Sequence, residues 1–100
     1  MKSAAKFSDL IAAVSPIAAA YGVEKLYLFG SRARGEERSD SDYDFMISKG
    51  KVQTLFQHAA LWQALEDALQ APVDLVTETS SNKALIEQAR KDAVLLYEQS

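Results

Sequence analysis

The apolar residues nearest the N-terminus have the spacing of one face of a helix. Leu10, Ile11 and Val14 predict a helix with Ser8 as its N-cap. Pro16 interrupts this pattern, because proline lacks the N–H that a helix interior needs. The pattern therefore predicts a second helical stretch from Ser15 to Ala20, which Gly22 is well placed to end.

Three short apolar runs have the character of strands. They are Lys25–Phe29, Tyr43–Ser48 and the β-branched run Val73–Thr77. A turn at Lys49-Gly50-Lys51 follows the second run. Each run is too short to cross a membrane. We therefore expect three strands of one small sheet.

Helical periodicity returns in two longer segments. From Gln53 to Gln70 a stripe is formed by Leu55, Phe56, Ala59, Trp62, Leu65 and Leu69. Pro72 follows this helix. A last helix is predicted to begin at Ser80-Ser81, with an apolar side of Leu85, Ile86, Ala89, Ala93, Leu96 and Tyr97. The predicted order α-β-β-α-β-α indicates an α+β fold, a small mixed sheet with helices packed on one face.

Composition narrows the class of protein. The 100 residues predict a single domain, 1–100, and 48% hydrophobic residues are typical of a globular chain. The absence of cysteine excludes disulfides and thiolate metal sites. A net charge of −3 argues against direct nucleic-acid binding. Met1 to Lys6 lack the apolar core of a signal peptide, so we expect a cytoplasmic protein without membrane contact.

Acidic residues cluster around the second and third predicted strands. Asp42 and Asp44 are two residues apart, so in a strand they share a face about 6–7 Å apart, with Tyr43 on the other. Asp74 lies between apolar neighbours, where an unpaired acid is costly. If the two strands are neighbours, Asp74 completes a three-carboxylate cluster. Such a cluster fits a hard divalent cation, and Mg²⁺ combines one or two carboxylates with phosphate oxygens and water.

A glycine-containing turn precedes these acids. Gly30 follows the first strand and permits a sharp turn and close approach of a phosphate. If Ser31 begins a helical turn, its N–H and hydroxyl face an anion. Arg32 and Arg34, with Arg38 further along the loop, offer planar forks for a triphosphate. Arg32 and Arg34 are the better candidates because they are nearer the turn.

Other interpretations fit the residues less well. An EF-hand would need glycine where Phe45 stands and glutamate where Lys51 stands. A Walker-type phosphate loop is also missing. His58 is expected on a helix surface rather than as a ligand. Aromatic residues expected in the core are Trp62, Tyr27 and Phe56. The apolar run Val94–Tyr97 is expected either to pack in the core, which is the favoured interpretation, or to dock a partner.

The complete pattern resembles the DNA polymerase β-type nucleotidyltransferase superfamily. The residues that carry the resemblance are Gly30-Ser31, ten further residues, Asp42-x-Asp44 and Asp74 on a later strand. The run Leu28–Gly35 and the brevity of the chain resemble its minimal nucleotidyltransferase branch. The similarity extends from Tyr27 through Tyr97.

The resemblance implies a function. Proteins of this branch are typically antitoxins that transfer AMP from ATP to a tyrosine of a HEPN-domain ribonuclease toxin, with which they form a hetero-oligomer. By resemblance, Gly30 and Ser31 hold the triphosphate, Asp42 and Asp44 bind Mg²⁺, and Asp74 ligates metal or helps to deprotonate the attacking hydroxyl. Two alternatives stay open: a non-catalytic antitoxin that occludes its toxin, and a nucleotidyltransferase acting on a small molecule.

Overall fold

The computed structural model describes residues 7–99. Its elements are α1 (Ser8–Tyr21), β1 (Lys25–Phe29), α2 (Gly30–Arg34), β2 (Tyr43–Ser48), α3 (Leu55–Leu69), β3 (Val73–Thr77), α4 (Lys83–Asp92) and β4 (Val94–Glu98). The three predicted strands are confirmed with their bounds. Within the described residues, no helix is both long and apolar enough to span a bilayer. The prediction about a signal peptide concerns residues 1–6, which lie outside the described part.

The first helix differs from the prediction in two ways. It is one helix of 14 residues with Pro16 inside it, rather than two stretches. Pro16 is exposed, whereas Val14 and Ala18 are buried on the opposite side, so packing of that side holds the helix together across the missing hydrogen bond. The N-cap position is Phe7 and makes no side-chain cap, so Ser8 is not the N-cap. Gly22 ends the helix in the left-handed conformation, as expected.

The four strands form one mixed sheet in the order β3-β2-β1-β4. β1 is antiparallel to both β2 and β4, while β2 and β3 run parallel. In this arrangement the start of β2 lies beside the start of β3 and beside the end of β1. The α+β class and the mixed sheet are confirmed.

The two faces of the sheet are covered differently. On one face, α1 and α3 pack over the larger apolar cluster, which includes Phe45, Ile47, Leu61 and Leu65. On the other face α4 covers a smaller cluster of Phe29, Met46, Ile86 and Ala89. The expectation that helices lie on one face only is therefore wrong, because residues of β2 alternate between two apolar faces and each must be buried.

The C-terminal segment is not the end of a helix. α4 begins at Lys83 behind an Asn82 N-cap and ends at Asp92, and Ala93 turns the chain directly into β4. Val94 and Leu96 are buried, whereas Leu95 and Tyr97 are half-buried. The prediction that Ala93, Leu96 and Tyr97 lie on the apolar side of the last helix is wrong. The residues after Ala93 form a strand instead, because the open edge of β1 offers this apolar run a ladder of backbone hydrogen bonds.

The apolar stripe of α3 is only partly as expected. Leu61 and Leu65 are the buried residues, whereas Leu55 and Phe56 are 89% and 87% exposed. Phe56 is therefore not a core residue. The helix begins at Leu55 behind a capping box between Thr54 and Gln57, and the two large apolar residues of its first turn face solvent.

One side of α3 closes the free edge of β3. Trp62 donates its indole N–H to the Val73 carbonyl, and a ring nitrogen of His58 is 3.1 Å from the Leu75 carbonyl. Glu66 accepts the N–H of Val73 at 3.0 Å. Their spacing of four residues places the three side chains along one helix face. His58 is thus half-buried and bonded to backbone, and the edge strand is protected from pairing with another chain.

Candidate functional site

Gly30 lies against the carboxylate of Asp44. Its φ of 76° is in the left-handed region that glycine adopts without strain. A Cβ at this position would overlap Oδ2 of Asp44 and lie 3.1 Å from its Cγ. Phe29 and Asp44 are partners across β1 and β2, so the turn leaves the sheet directly beside the acid. The close approach and the backbone conformation both require glycine here.

Asp44 and Asp74 are neighbours across the parallel strands. Their Cα atoms are register partners of β2 and β3, so both side chains project from the same face. Met46 and Val76, two residues further along each strand, belong to the cluster beneath α4. The two carboxylates therefore lie just beyond the part of this face that α4 covers. This confirms that the predicted strands are neighbours and brings the two acids together.

The environment of Asp44 disfavours its charge. Burial, followed by repulsion from Asp74 and then from Asp42, raises the pKa of Asp44 to about 6, from 3.8. Hydrogen bonding with Asp74 adds to this rise in pKa, and the positive charge of Arg34 partly offsets it. Such a carboxylate binds a proton or a cation more readily than an isolated one does. A strongly perturbed carboxyl beside like charges is a frequent feature of functional sites.

Asp42 lies at the margin of this group. It is exposed and precedes the first residue of β2, so it belongs to the end of the loop rather than to the strand. Its charge is close enough to raise the pKa of Asp44. Within residues 7–99, however, no three acidic or histidine side chains converge into a ready-made metal site. The oxygen donors suit a hard cation such as Mg²⁺, which takes its other ligands from phosphate and water.

Ser31 lies in the short helix that was expected after the turn. α2 spans Gly30–Arg34, with Phe29 in extended conformation before it. Gly35 ends the helix in the left-handed conformation, and the Ser31 carbonyl accepts the N–H of Glu36 at 2.9 Å. Ser31 therefore lies in a single closed helical turn that begins at Gly30, beside Asp44.

The two arginines of α2 have protein partners. Arg32 donates from Nε and Nη2 to the carbonyl of Ser41, at 3.1 and 2.7 Å, and its guanidinium lies 4.0 Å from the ring centre of Tyr43. Arg34 donates to Glu36 and Asp92, each at 2.8 Å, and these hydrogen bonds raise the pKa of Arg34. Arg32 therefore contacts the loop, whereas Arg34 connects α2 to the end of α4.

Two contributions were missed from the sequence. Asp92 reaches the site only because α4 ends beside α2, a contact between residues 58 positions apart. The backbone carbonyl of Ser41 accepts a hydrogen bond from Arg32. Every residue has such a carbonyl, so the sequence could not indicate this contact. Arg38, considered as a basic candidate, has an exposed position and contacts Ser41 through its backbone.

Comparison with known proteins gives this geometry a context. The family described as "Polymerase beta, Nucleotidyltransferase" matches residues 13–100. Protein adenylyltransferase MntA of Thermococcus cleftensis is 31% identical over 74 residues, which are 74% of this chain and 75% of that protein.

Solved structures share the fold. A provisionally assigned minimal nucleotidyltransferase superposes with a TM-score of 0.75 at 35% identity, covering 93% of this chain and 95% of that one. A tri-AMPylated HEPN toxin in complex with an MNT antitoxin, from Shewanella oneidensis, matches with a TM-score of 0.64 at 23% identity, covering 84% of this chain and 66% of that one. The second likeness shows the fold alone.

Proposed function

Because the chain belongs to the polymerase beta nucleotidyltransferase family, we propose that it is a protein adenylyltransferase antitoxin. It transfers AMP from ATP to a tyrosine hydroxyl of a HEPN-type ribonuclease toxin and thereby silences the toxin. The names of the Thermococcus relative and of the Shewanella complex support the substrate class and the partner.

The observation that carries the proposal is the contact between the Gly30 turn and Asp44. A phosphate-sized turn meets a carboxylate that repels a second carboxylate, Asp74, across the sheet. Ordinary packing would not keep two acids together beside a glycine, since the arrangement raises the cost of ionising Asp44. A divalent cation held by these acids would make the arrangement favourable, because it would offset their mutual repulsion.

Each residue has a proposed role. Gly30 and Ser31 hold the triphosphate through the backbone at the start of α2, and Asp42 and Asp44 would hold Mg²⁺. Asp74 is the third carboxylate, which ligates metal or receives the proton of the acceptor hydroxyl. Arg34 supplies positive charge beside the phosphates, a role supported by its lowering of the pKa of Asp44. The metal would neutralise charge that develops on the phosphates.

The reaction is an in-line displacement at the α-phosphorus. The tyrosine oxygen forms a bond to that phosphorus, the bond to the β-phosphate oxygen breaks, and pyrophosphate leaves. The hydroxyl proton passes to a carboxylate, for which Asp74 is the candidate. Because no covalent intermediate with the protein is needed, the chain contributes positioning and charge neutralisation.

Mass spectrometry of the toxin tests the proposal. A candidate HEPN-type toxin is incubated with the chain, ATP and Mg²⁺, and its intact mass is measured. We expect a gain in increments of AMP, which tyrosine-to-phenylalanine variants of the toxin then locate. Asp42→Asn/Asp44→Asn should reduce transfer by at least about 100-fold, as expected when groups that stabilise transition-state charge are lost.

Asp40→Asn is the matched control, because Asp40 is an exposed acid of the same loop and is not among the charges that raise the pKa of Asp44. It should transfer AMP at the rate of the unaltered chain. Retained transfer by the double variant would overturn the metal assignment. A stable complex without any mass gain would instead favour an antitoxin that acts by occlusion.

A further inference from the structure

Arg32 holds the chain on both sides of Asp42. Its Nε and Nη2 donate to the carbonyl of Ser41, the residue before Asp42, and its guanidinium lies over the ring of Tyr43, the residue after it. We propose that Arg32 is a positioning residue, which acts through the backbone to place Asp42 for the divalent cation. This inference rests on the proposed function and departs from the expectation that Arg32 binds the triphosphate.

Asp42 needs such a restraint because of where it lies. Residues 34–40 are exposed, and Asp42 itself is exposed and outside the ladder of β2. A ligand on a free loop must lose backbone freedom when it binds a cation, and this loss weakens its binding of the cation. Contacts that order the loop beforehand remove that cost from binding.

The restraint is anchored in the core. The Tyr43 ring stacks on Phe45, with centroids 6.0 Å apart and planes at 9°, and Phe45 is fully buried. The Tyr43 N–H also donates to the Pro72 carbonyl at 3.0 Å, which ties the start of β2 to the segment before β3. Arg32 therefore connects Ser41 to a part of the molecule that cannot shift without disturbing the main apolar cluster.

The guanidinium lies on the side of the sheet opposite the acids. With Leu10, Leu28 and Tyr43, Arg32 lines a cavity of about 410 Å³ on the α1 side. Asp44 projects from the other face, beside Gly30. The guanidinium is planar, so its edge can donate two hydrogen bonds to a carbonyl while its face covers an aromatic ring. Lysine cannot reproduce this geometry. Geometry and location both favour positioning over phosphate contact.

Cation binding in the absence of toxin tests this role. Mg²⁺ is titrated calorimetrically into the chain loaded with a non-hydrolysable ATP analogue, and analogue binding is measured separately in EDTA. Arg32→Gln should weaken Mg²⁺ binding about 10- to 100-fold, the usual effect of losing a partner that orients a metal ligand. Analogue binding in EDTA should be unchanged. Arg32→Lys should show the same loss, since it keeps the charge and loses the fork.

Arg38→Gln is the matched control, because it removes one arginine charge from the segment between α2 and β2 and leaves the backbone bonds of Arg38 to Ser41 in place. It should bind Mg²⁺ as the unaltered chain does. Tyr43→Leu should weaken Mg²⁺ binding in the same direction as Arg32→Gln, whereas Tyr43→Phe keeps the ring and should not. Hydrogen exchange of residues 36–44, in the metal-free protein, should accelerate in Arg32→Gln, Arg32→Lys and Tyr43→Leu, and should be unchanged in Arg38→Gln and Tyr43→Phe.

Three outcomes would overturn the positioning role. Weaker analogue binding in EDTA for Arg32→Gln but not Arg38→Gln would mean that Arg32 contacts the triphosphate. Full rescue by Arg32→Lys would mean that its charge alone matters. Faster exchange with unchanged Mg²⁺ affinity would make the contact merely structural. Because none of these measurements uses the toxin, failure of AMP transfer to a HEPN protein would contradict the proposed function while leaving this result intact.

Discussion

The two faces of β2 place adjacent residues in opposite environments, one apolar and one acidic. Phe45 and Ile47 point into the main cluster beneath α1 and α3 and are fully buried. Asp44, between Tyr43 and Phe45, points to the other face, where α4 covers Met46 but not the acid. One face stabilises the fold by removing apolar surface from water. The other face keeps a carboxylate in an environment that raises its pKa to about 6.

The contrast separates residues selected by packing from residues that packing alone would not retain. Residues that lower the stability of the fold are expected mainly at functional sites, where the function requires them. Substitutions on the two faces should therefore change stability in opposite directions. The three predictions below test that difference, using the free energy of unfolding in urea.

Phe45→Ala should have the largest effect. Removing a fully buried aromatic ring leaves a cavity in the main cluster and should lower the free energy of unfolding by about 3–5 kcal/mol. Phe56→Ala is the matched control, because Phe56 is 87% exposed and its loss should change stability by less than about 0.5 kcal/mol. Equal losses for the two variants would contradict the assignment of the core.

Gly30→Ala should have the next largest effect, about 1–3 kcal/mol. The new Cβ would overlap Asp44, and alanine is strained at a φ of 76°. In the background of Asp44→Ala, which removes the overlapping carboxylate, the same change should cost only about 1 kcal/mol. A double-mutant cycle measures this coupling. Additive losses would show that Gly30 and Asp44 are not in contact.

Asp44→Asn should have the smallest effect and the opposite sign. Moving a pKa from 3.8 to about 6 corresponds to about 3 kcal/mol. Because the carboxyl is only half-buried, solvent screening reduces the expected gain to about 1 kcal/mol. The gain should be present at pH 8 in EDTA and should disappear towards pH 4.

The sign follows from proton binding. Between pH 4 and 6 the folded protein holds a proton on Asp44 that the unfolded chain has released, so the stability of the unaltered protein falls as the pH rises through this window. Asp44→Asn lacks this titration. Urea unfolding of both proteins across the pH range measures the difference, with Asp40→Asn as the control that should show none. A gain independent of pH would contradict the raised pKa.

Much of the fold was accessible from local pattern. The bounds of β1, β2 and β3 were predicted correctly because each is a short apolar run between turn residues. The helix after Gly30 and the end of α1 at Gly22 follow from glycine chemistry. The errors lie where distant contacts decide: Pro16 is tolerated because packing holds α1, and β4 forms because β1 has a free edge.

The candidate acids were accessible for a related reason. Asp74 stands out because a charged residue among apolar strand residues is costly, and Asp42 and Asp44 stand out because they are spaced two residues apart at the start of an apolar run. That Asp44 and Asp74 meet depended on the strands being neighbours. The partners of the two arginines could not be predicted from the sequence. Arg32 donates to the carbonyl of Ser41, which is a backbone group, and Arg34 donates to Asp92, which is 58 positions away along the chain.

The order of residues along the chain thus determined where the chain turns, which of the segments β1 to β3 form strands, and which acidic residues are candidates for a functional site. Folding specified which of these residues meet: the register that pairs Asp44 with Asp74, the approach of Gly30 to Asp44, and the hold of Arg32 on the flanks of Asp42. The division has a physical cause. Turn and strand preferences act over a few residues, whereas strand register and side-chain partners depend on burying both faces of the sheet at once.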